Sequence, residues 1–226
     1  MVALIYCQSG GGKTVNSTRV ATGKRGRNIL LCSDNSSIVL KNFDRPNLDV
    51  EPITHCMKSL TNLNDDSYFI RQLEKTIDSN KYDNIILDNI SDLFDMWILE
   101  LDESGKYKDM RQAYQLVYQS LKRLVRKATL ANCDIVFTAW QDLTEITLPT
   151  GEKVMRTSPK IPQKILDNIC GLCNIVTCID TFVDEKTKQK VWYYKLEGSP
   201  TLYAKDQIFC RTVCKPEELF TGKVEK

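Results

Sequence analysis

Long apolar runs are missing from this sequence: none approaches the roughly 18 residues that a membrane span requires, so no bilayer segment is expected. No basic leader is expected either. Met1-Val2-Ala3-Leu4-Ile5-Tyr6 is apolar but follows no cationic stretch and runs straight into glycines, which reads as a buried strand rather than a signal peptide. The expected location is cytoplasmic. Charge of one sign is scarce as well, since 31 Lys+Arg against 29 Asp+Glu leave a net charge of +2. Such a molecule projects little field toward a polyanion, so any nucleic-acid contact must be local. Histidine occurs once, at His55, which leaves little basis for imidazole ligation. The nine cysteines are an odd number in a large chain for which no leader is expected, so reduced thiols are expected rather than a disulfide framework. Cys170-x-x-Cys173 and Cys210-x-x-x-Cys214 would permit a zinc site, but the first pair lies between apolar segments, where cysteine acts as a small hydrophobe.

What is present is an ordinary globular composition, 42% hydrophobic and 27% charged over 226 residues, enough for one α/β domain. That domain is expected over residues 1–214, with a charged, flexible tail over 215–226. Val2 to Tyr6 reads as a buried strand, Lys13 to about Thr22 as a helix, and Asn28 to Ser33 as a second strand. The Asn-, Asp- and Pro-rich stretch 42–66 reads as irregular apart from a short element. Apolar residues near helical spacing predict a helix over 68–80, followed by the strand Asn84 to Asp88. A long amphipathic helix is predicted over Met110 to Ala131, then a buried strand Asp134 to Ala139 ended by Trp140-Gln141. A hairpin over Glu145 to Val154, a helix over Pro162 to Cys170 and strands at Asn174 to Ile179, Val191 to Leu196 and near Leu202 complete the pattern. Alternating strands and helices imply a mainly parallel sheet flanked by helices, with a hairpin insertion and antiparallel C-terminal strands.

The chemistry is concentrated at Cys7-Gln8-Ser9-Gly10-Gly11-Gly12-Lys13-Thr14, which fits G-x-x-x-x-G-K-[ST] except that Cys7 stands at the first glycine position. Gln8, Ser9, Gly10, Gly11, Gly12, Lys13, Thr14 and Val15 form the candidate nucleotide cradle, because consecutive glycines let backbone N–H groups approach phosphate oxygens. Lys13 would bridge the β and γ phosphates, and the Thr14 hydroxyl would face Mg²⁺. ATP with magnesium is the implied ligand. At Cys7 a strained, glycine-like backbone or a relaxed turn is expected. Ile85-Ile86-Leu87-Asp88 is an apolar strand that delivers a carboxylate at its end, so Asp88 is the candidate second magnesium group. Asn89 follows it where many such ATPases place a glutamate. Asp34, at the end of the second strand, is the nearest candidate for activating water, and Gln141 is a candidate γ-phosphate sensor. Trp140 stands close enough to report nucleotide binding.

The order of these motifs resembles the RecA-like ATPases of bacteriophages that accompany single-strand annealing, often labelled phage nucleotide-binding or AAA-domain proteins. The resemblance covers most of the chain. It rests on the N-terminal loop, on Ile86 to Phe94, on the long helix containing Tyr114, and on Pro162 to Asp180 followed by Ala204-Lys205-Asp206-Gln207. It implies a RecA-like fold in the host cytoplasm, a ring or filament of identical subunits with ATP between neighbours, and a single-strand annealing protein as partner. Lys205 would then reach the adjacent subunit's ATP. The resemblance also implies single-stranded DNA binding by the region Gln141 to Pro162, whose cations are Lys153, Arg156 and Lys160. Gln207 stands where relatives often carry a basic residue, and Asn35 near where they carry a glutamate, which points toward slow turnover. A small-molecule kinase, or an assembly switch driven by binding alone, remains open beside a DNA-stimulated ATPase.

Overall fold

The computed structural model describes residues 1–20, 26–45, 47–52 and 68–222. His55 lies outside the described residues, as does most of the stretch expected to be irregular. Along the chain the elements are β1 (Val2–Cys7), α1 (Lys13–Ser17), β2 (Asn28–Cys32), a 3-10 segment (Asn35–Asn42), β3 (Leu48–Pro52), α2 (Tyr68–Asp78), β4 (Asn84–Asp88), α3 (Ile90–Glu103), α4 (Met110–Thr129), β5 (Asp134–Thr147), β6 (Lys153–Pro159), α5 (Gln163–Leu172), β7 (Ile175–Val183), β8 (Lys190–Lys195), β9 (Lys205–Asp206) and β10 (Val213–Cys214).

The strands form one sheet in the order β10-β8-β7-β1-β5-β4-β2-β3, with β6 added to β5 and β9 to β7. All neighbours from β7 through β3 run parallel, while β6, β8, β9 and β10 pair antiparallel. This is the α/β architecture expected from the alternating pattern, with its inserted hairpin and antiparallel C-terminal strands. Side chains of β1 alternate between two cores, as the two-residue period of a strand requires. Val2, Leu4 and Tyr6 face the layer of α2 to α5, while Ala3, Ile5 and Cys7 face the opposite layer with Val20, Leu40 and Phe220. β1 is buried along its whole length, so the loop that follows it projects from the centre of the sheet.

Several elements differ from expectation for identifiable reasons. The helix after the glycine loop ends at Ser17, so its dipole is that of little more than one turn. Trp140-Gln141 does not end the fifth strand. β5 stays parallel to β1 up to Trp140, then leaves the sheet and continues to Thr147 as one arm of the hairpin with β6. The switch from continuous to alternating hydrophobicity marked a change of surroundings rather than the end of a strand. α3 went unread because its acids Asp92, Asp95, Glu100 and Asp102 break up the apolar pattern of Leu93, Phe94, Trp97 and Leu101. Near Leu202 there are isolated bridges to Thr157 and Ser199, and the true strand is β9.

The tail expected to hang loose from Lys215 packs as far as Phe220. Leu219 and Phe220 are buried, and the buried Arg211 guanidinium donates to the carbonyls of Glu218 (2.8 Å) and Leu219 (2.9 Å). Arg211 is fixed in turn by Asp206 at 2.7 Å. Burial by itself raises the Asp206 carboxyl, but the Phe209 N–H, Arg211 and the Ile208 N–H outweigh it and hold the group below its ordinary range. All the described cysteines are free thiols, and burial pushes those of Cys170 and Cys173 upward, the latter to about 12. Among the described residues no helix is long and apolar enough to cross a membrane.

Candidate nucleotide site

The loop between β1 and α1 folds back over the sheet, and its glycines have distinct duties. Gly10 (φ 75°) and Gly12 (φ 86°) take left-handed backbone that suits glycine. A Cβ on Gly12 would also come 2.9 Å from Asn16 Nδ2 and 3.2 Å from Trp192 Nε1. Gly11 needs to be glycine for a different reason: a Cβ there would lie 2.6 Å from Cys7 Sγ. Cys7 itself is an ordinary buried residue of β1, paired with Trp140, and is absent from the positive-φ residues. The strain expected at Cys7 is therefore not found. Its side chain lies under the loop, and Gly11 makes room for it.

Lys13 is buried and turns its ammonium back across the loop, donating to the carbonyls of Cys7 (3.3 Å) and Gln8 (3.2 Å). Thr14 Oγ1 donates to Asp88 Oδ2 at 2.5 Å, which joins the loop to the end of β4. Asp88 is 1% exposed and accepts two further hydroxyls, from Ser36 (2.9 Å) and from Thr138. A carboxylate this deeply buried requires such donors. The donor set around Asp88 is all oxygen, and a hydroxyl that gives its proton to a carboxylate still has lone pairs for a hard cation. These residues thus fit Mg²⁺, which takes oxygen ligands and keeps several of its waters.

A cleft of about 320 Å³ opens here, walled by Ser9, Gly10, Gly12, Lys13, Thr14 and Val15 from the loop, Asp34, Ser36 and Val39 from the segment after β2, and Asp88, Asn89 and Trp140. Asp34 is thereby brought to the same cleft as Lys13 and Asp88. It caps the 3-10 segment by accepting from Ser36 N (2.8 Å), and it accepts from Asn89 Nδ2 at 3.4 Å. Asn89 in turn caps α3 by accepting from Asp92 N at 2.7 Å. Burial first, then the neighbouring carboxylates of Asp34, Asp95 and Asp88, raise the Asp92 carboxyl despite a hydrogen bond from Ser33.

The other candidates fall elsewhere. Gln141 sits on the far flank of the loop, in a second cleft with Cys7, Gln8, Gly11, Cys178 and the Asp180–Lys195 ion pair. Lys205 pairs with Val176 near the start of β7, level with Leu4 rather than with the loop, and its ammonium rests 3.4 Å from the Gly171 carbonyl. Burial lowers its pKa, against the opposing influence of the Cys173 and Cys170 thiols. Lys153 is paired with Glu145, Arg156 donates to the Pro200 carbonyl and lies over Tyr203, and Lys160 is paired with Asp95 and lies over Trp140.

Ser36 and Thr138 belong to the neighbourhood of the loop and were not singled out by the sequence, while Asn89, noted there only as an amide where a glutamate is common, holds Asp34 and caps α3. Thr138 carried a faint signal, a lone hydroxyl inside the apolar run Ile135 to Ala139. Ser36 carried another, two residues after Asp34 at the spacing of an Asx cap.

Comparison with known proteins adds to this geometry. Residues 1–208 match a family model described as an AAA domain. No curated protein matches the chain. Similar solved structures include a KaiC-like protein from the hyperthermophilic archaeon Pyrococcus horikoshii, at 11% identity and a TM-score of 0.46 over 91% of this chain and 82% of that one. The flagellar accessory protein FlaH from Methanocaldococcus jannaschii is similar at 14% identity and a TM-score of 0.40, over 86% and 76% of the two chains. With the family match running from the glycine loop to beyond β9, the chain belongs to the AAA-domain family and is a nucleotide-binding domain of the P-loop ATPase type.

Proposed function

We propose that the protein binds and hydrolyses ATP in the cleft between Lys13 and Asp88, and that it does so as a RecA-like homo-oligomer acting on single-stranded DNA in bacteriophage recombination or annealing. The observation that carries the nucleotide part is the Thr14–Asp88 hydrogen bond, which brings the two magnesium-facing groups of the sequence together at the mouth of a glycine loop. In this reading the N–H groups of Gly10 to Thr14 bind phosphate oxygens, and Lys13 exchanges its two carbonyl partners for the β and γ phosphates. Thr14 and Asp88 would hold magnesium, which when bound would supply charge neutralisation for the phosphates. Asp34 orients a water toward the γ-phosphorus, the bond to the β–γ bridging oxygen breaks, and ADP and phosphate leave. Asn89 holds Asp34 for this task.

Lys205 supports assembly. It stands about 10 Å short of the loop along the strand direction and beyond β7, so it cannot serve its own cleft. In a ring or filament it reaches the neighbour's ATP. Gln141 senses the γ-phosphate from the other flank of the loop, and the unit that does this is residues 1–214. For DNA, Lys153 and Arg156 lie on the projecting hairpin, where release of their present partners frees them for phosphates. Lys160, the third cation of the region, is tied to α3. A single-strand annealing protein is the expected partner. Gln207, in place of the basic residue of relatives, and Asn35, near where they carry a glutamate, favour slow turnover, so that assembly rather than rapid hydrolysis is the output.

The test is phosphate release from Mg–ATP with and without single-stranded DNA, using wild type, Lys13→Ala, Lys205→Ala and an equal mixture of the two variants. Stimulation by DNA, loss in each variant alone and partial recovery in the mixture is the expected pattern. Turnover in Lys205→Ala equal to wild type would rule out the shared site, and turnover that appears only with a small-molecule acceptor would establish a kinase.

A further inference from the structure

Trp140 has two roles in the fold, as a wall of the nucleotide cleft and as the residue where β5 leaves the sheet to become the hairpin. At that point its peptide N–H donates to Ser91 Oγ (3.0 Å), and the same hydroxyl donates to the Lys160 carbonyl (2.8 Å). The Lys160 N–H closes the ring by donating to the Trp140 carbonyl at 2.7 Å. Ser91 is 2% exposed, so its single hydroxyl ties both feet of the hairpin to the first turn of α3 in a place water does not reach. Asp95, one turn further along the same face of α3, takes the Lys160 ammonium at 3.1 Å, and that ammonium lies 4.8 Å from the centre of the Trp140 ring. An exposed ion pair by itself contributes little, but here it is combined with a ring face and two backbone hydrogen bonds on one residue. The turn that grips Lys160 begins immediately after Asn89, whose side chain faces the cleft and binds Asp34.

We infer that the first turns of α3 couple the nucleotide cleft to the β5–β6 hairpin, with Ser91 and Asp95 as the clamp and Lys160 as a positioning residue rather than a nucleic-acid contact. The inference rests on the reading of the cleft as a nucleotide site. A γ-phosphate bound in the cleft that Gly10, Asp34, Asn89 and Trp140 line would bear on the start of α3 from one side and on Trp140 from the other. Because Ser91 fixes Trp140 and Lys160 to that start, a shift of either is passed to both arms of the hairpin, and the sequence from Asp142 to Ser158 moves with its feet. Without Ser91 the feet and the helix move independently. The clamp needs no DNA to operate, so it is measurable with nucleotide alone.

The experiment is amide hydrogen exchange of residues 141–159 in the full chain, with and without a non-hydrolysable Mg–ATP analogue, beside the analogue's affinity from equilibrium binding. In wild type the analogue is expected to slow hairpin exchange by about threefold or more. Ser91→Ala and Asp95→Asn are expected to bind the analogue within about threefold of wild type while the hairpin no longer responds. Lys160→Met is expected to lose the response as well. Asp95→Asn guards against instability from the buried Ser91 change, since its side chain is half exposed. Binding by wild type without a hairpin response overturns the coupling alone, and so does a wild-type response in Ser91→Ala and Asp95→Asn. Failure of wild type to bind the analogue overturns the nucleotide reading, and the coupling with it.

Discussion

The nucleotide cleft and the hairpin are both polar and both carry charge, yet they are built in opposite ways. In the cleft, Asp88 is almost inaccessible and three hydroxyls from three separate elements converge on it. On the hairpin, Lys153 lies opposite Thr147 and reaches diagonally across the two strands to Glu145, with both charged side chains exposed. Buried polar groups are costly unless each partner is placed, so the cleft is fixed by the whole fold. Exposed pairs exchange partners freely, so the hairpin is free to meet a ligand. Rigid recognition of phosphate and adaptable contact with a polymer are the tasks these two constructions suit.

Several substitutions would sharpen or break this contrast, beginning with the buried groups. Arg211→Met should cost about 3–5 kcal/mol in denaturant unfolding, because it strands the buried Asp206 and frees the segment that ends in Phe220. Since the folded state depresses the Asp206 pKa, the stability from this pair is fully present above the ordinary carboxylate range and is lost as pH falls through the depressed value. Acid titration of unfolding free energy in wild type and Arg211→Met should show the two curves approaching each other at low pH. Gly11→Ala should weaken nucleotide binding by about tenfold or more, through the displacement of a loop that must sit close to phosphate. Adding Cys7→Gly should recover part of that loss, because the added methyl collides first with Cys7 Sγ and then with the Gln8 carbonyl, which remains.

Thr138→Val should cost about 1–3 kcal/mol, since it removes a fully buried donor from Asp88 while keeping the shape of the side chain. Thermal unfolding reads this, and an unchanged midpoint would mean that Asp88 does not depend on the convergence described. The smallest effect belongs to the hairpin. Lys153→Met should change stability by less than about 1 kcal/mol, and should lower the slope of log affinity for single-stranded DNA against log salt by about 0.7. A large loss of stability in Lys153→Met would dissolve the contrast between the two regions.

How much of this was legible in the sequence follows the same division. The loop from Gln8 to Val15 was readable because its requirements are local: left-handed backbone at Gly10 and Gly12, and Lys-Thr next to them. Asp88 was readable because an apolar strand announces its own end. Ser36, Thr138 and Ser91 were not, because a hydroxyl acquires its role from elements 50 or so residues away, and the faint local signals at Ser36 and Thr138 do not point to that partner. Cys7 was misjudged for a related reason. Its match to a glycine position suggested a turn, whereas pairing with Trp140 makes it the last residue of a strand and transfers the steric requirement to Gly11. The parallel core was evident from continuous apolar runs, but the continuity of β5 through Trp140 was hidden, since a strand that leaves one sheet for a hairpin changes its pattern without ending.

The most direct measurement is equilibrium binding of a fluorescent ATP analogue, with magnesium, to wild type and to Lys13→Ala under identical conditions. Saturable binding to wild type with a loss of about a hundredfold or more in Lys13→Ala is the result expected of a phosphate cradle closed by that ammonium. Equal affinity of the two proteins, or no binding to either while both remain folded, would contradict the assignment of the glycine loop and Asp88 as the nucleotide site.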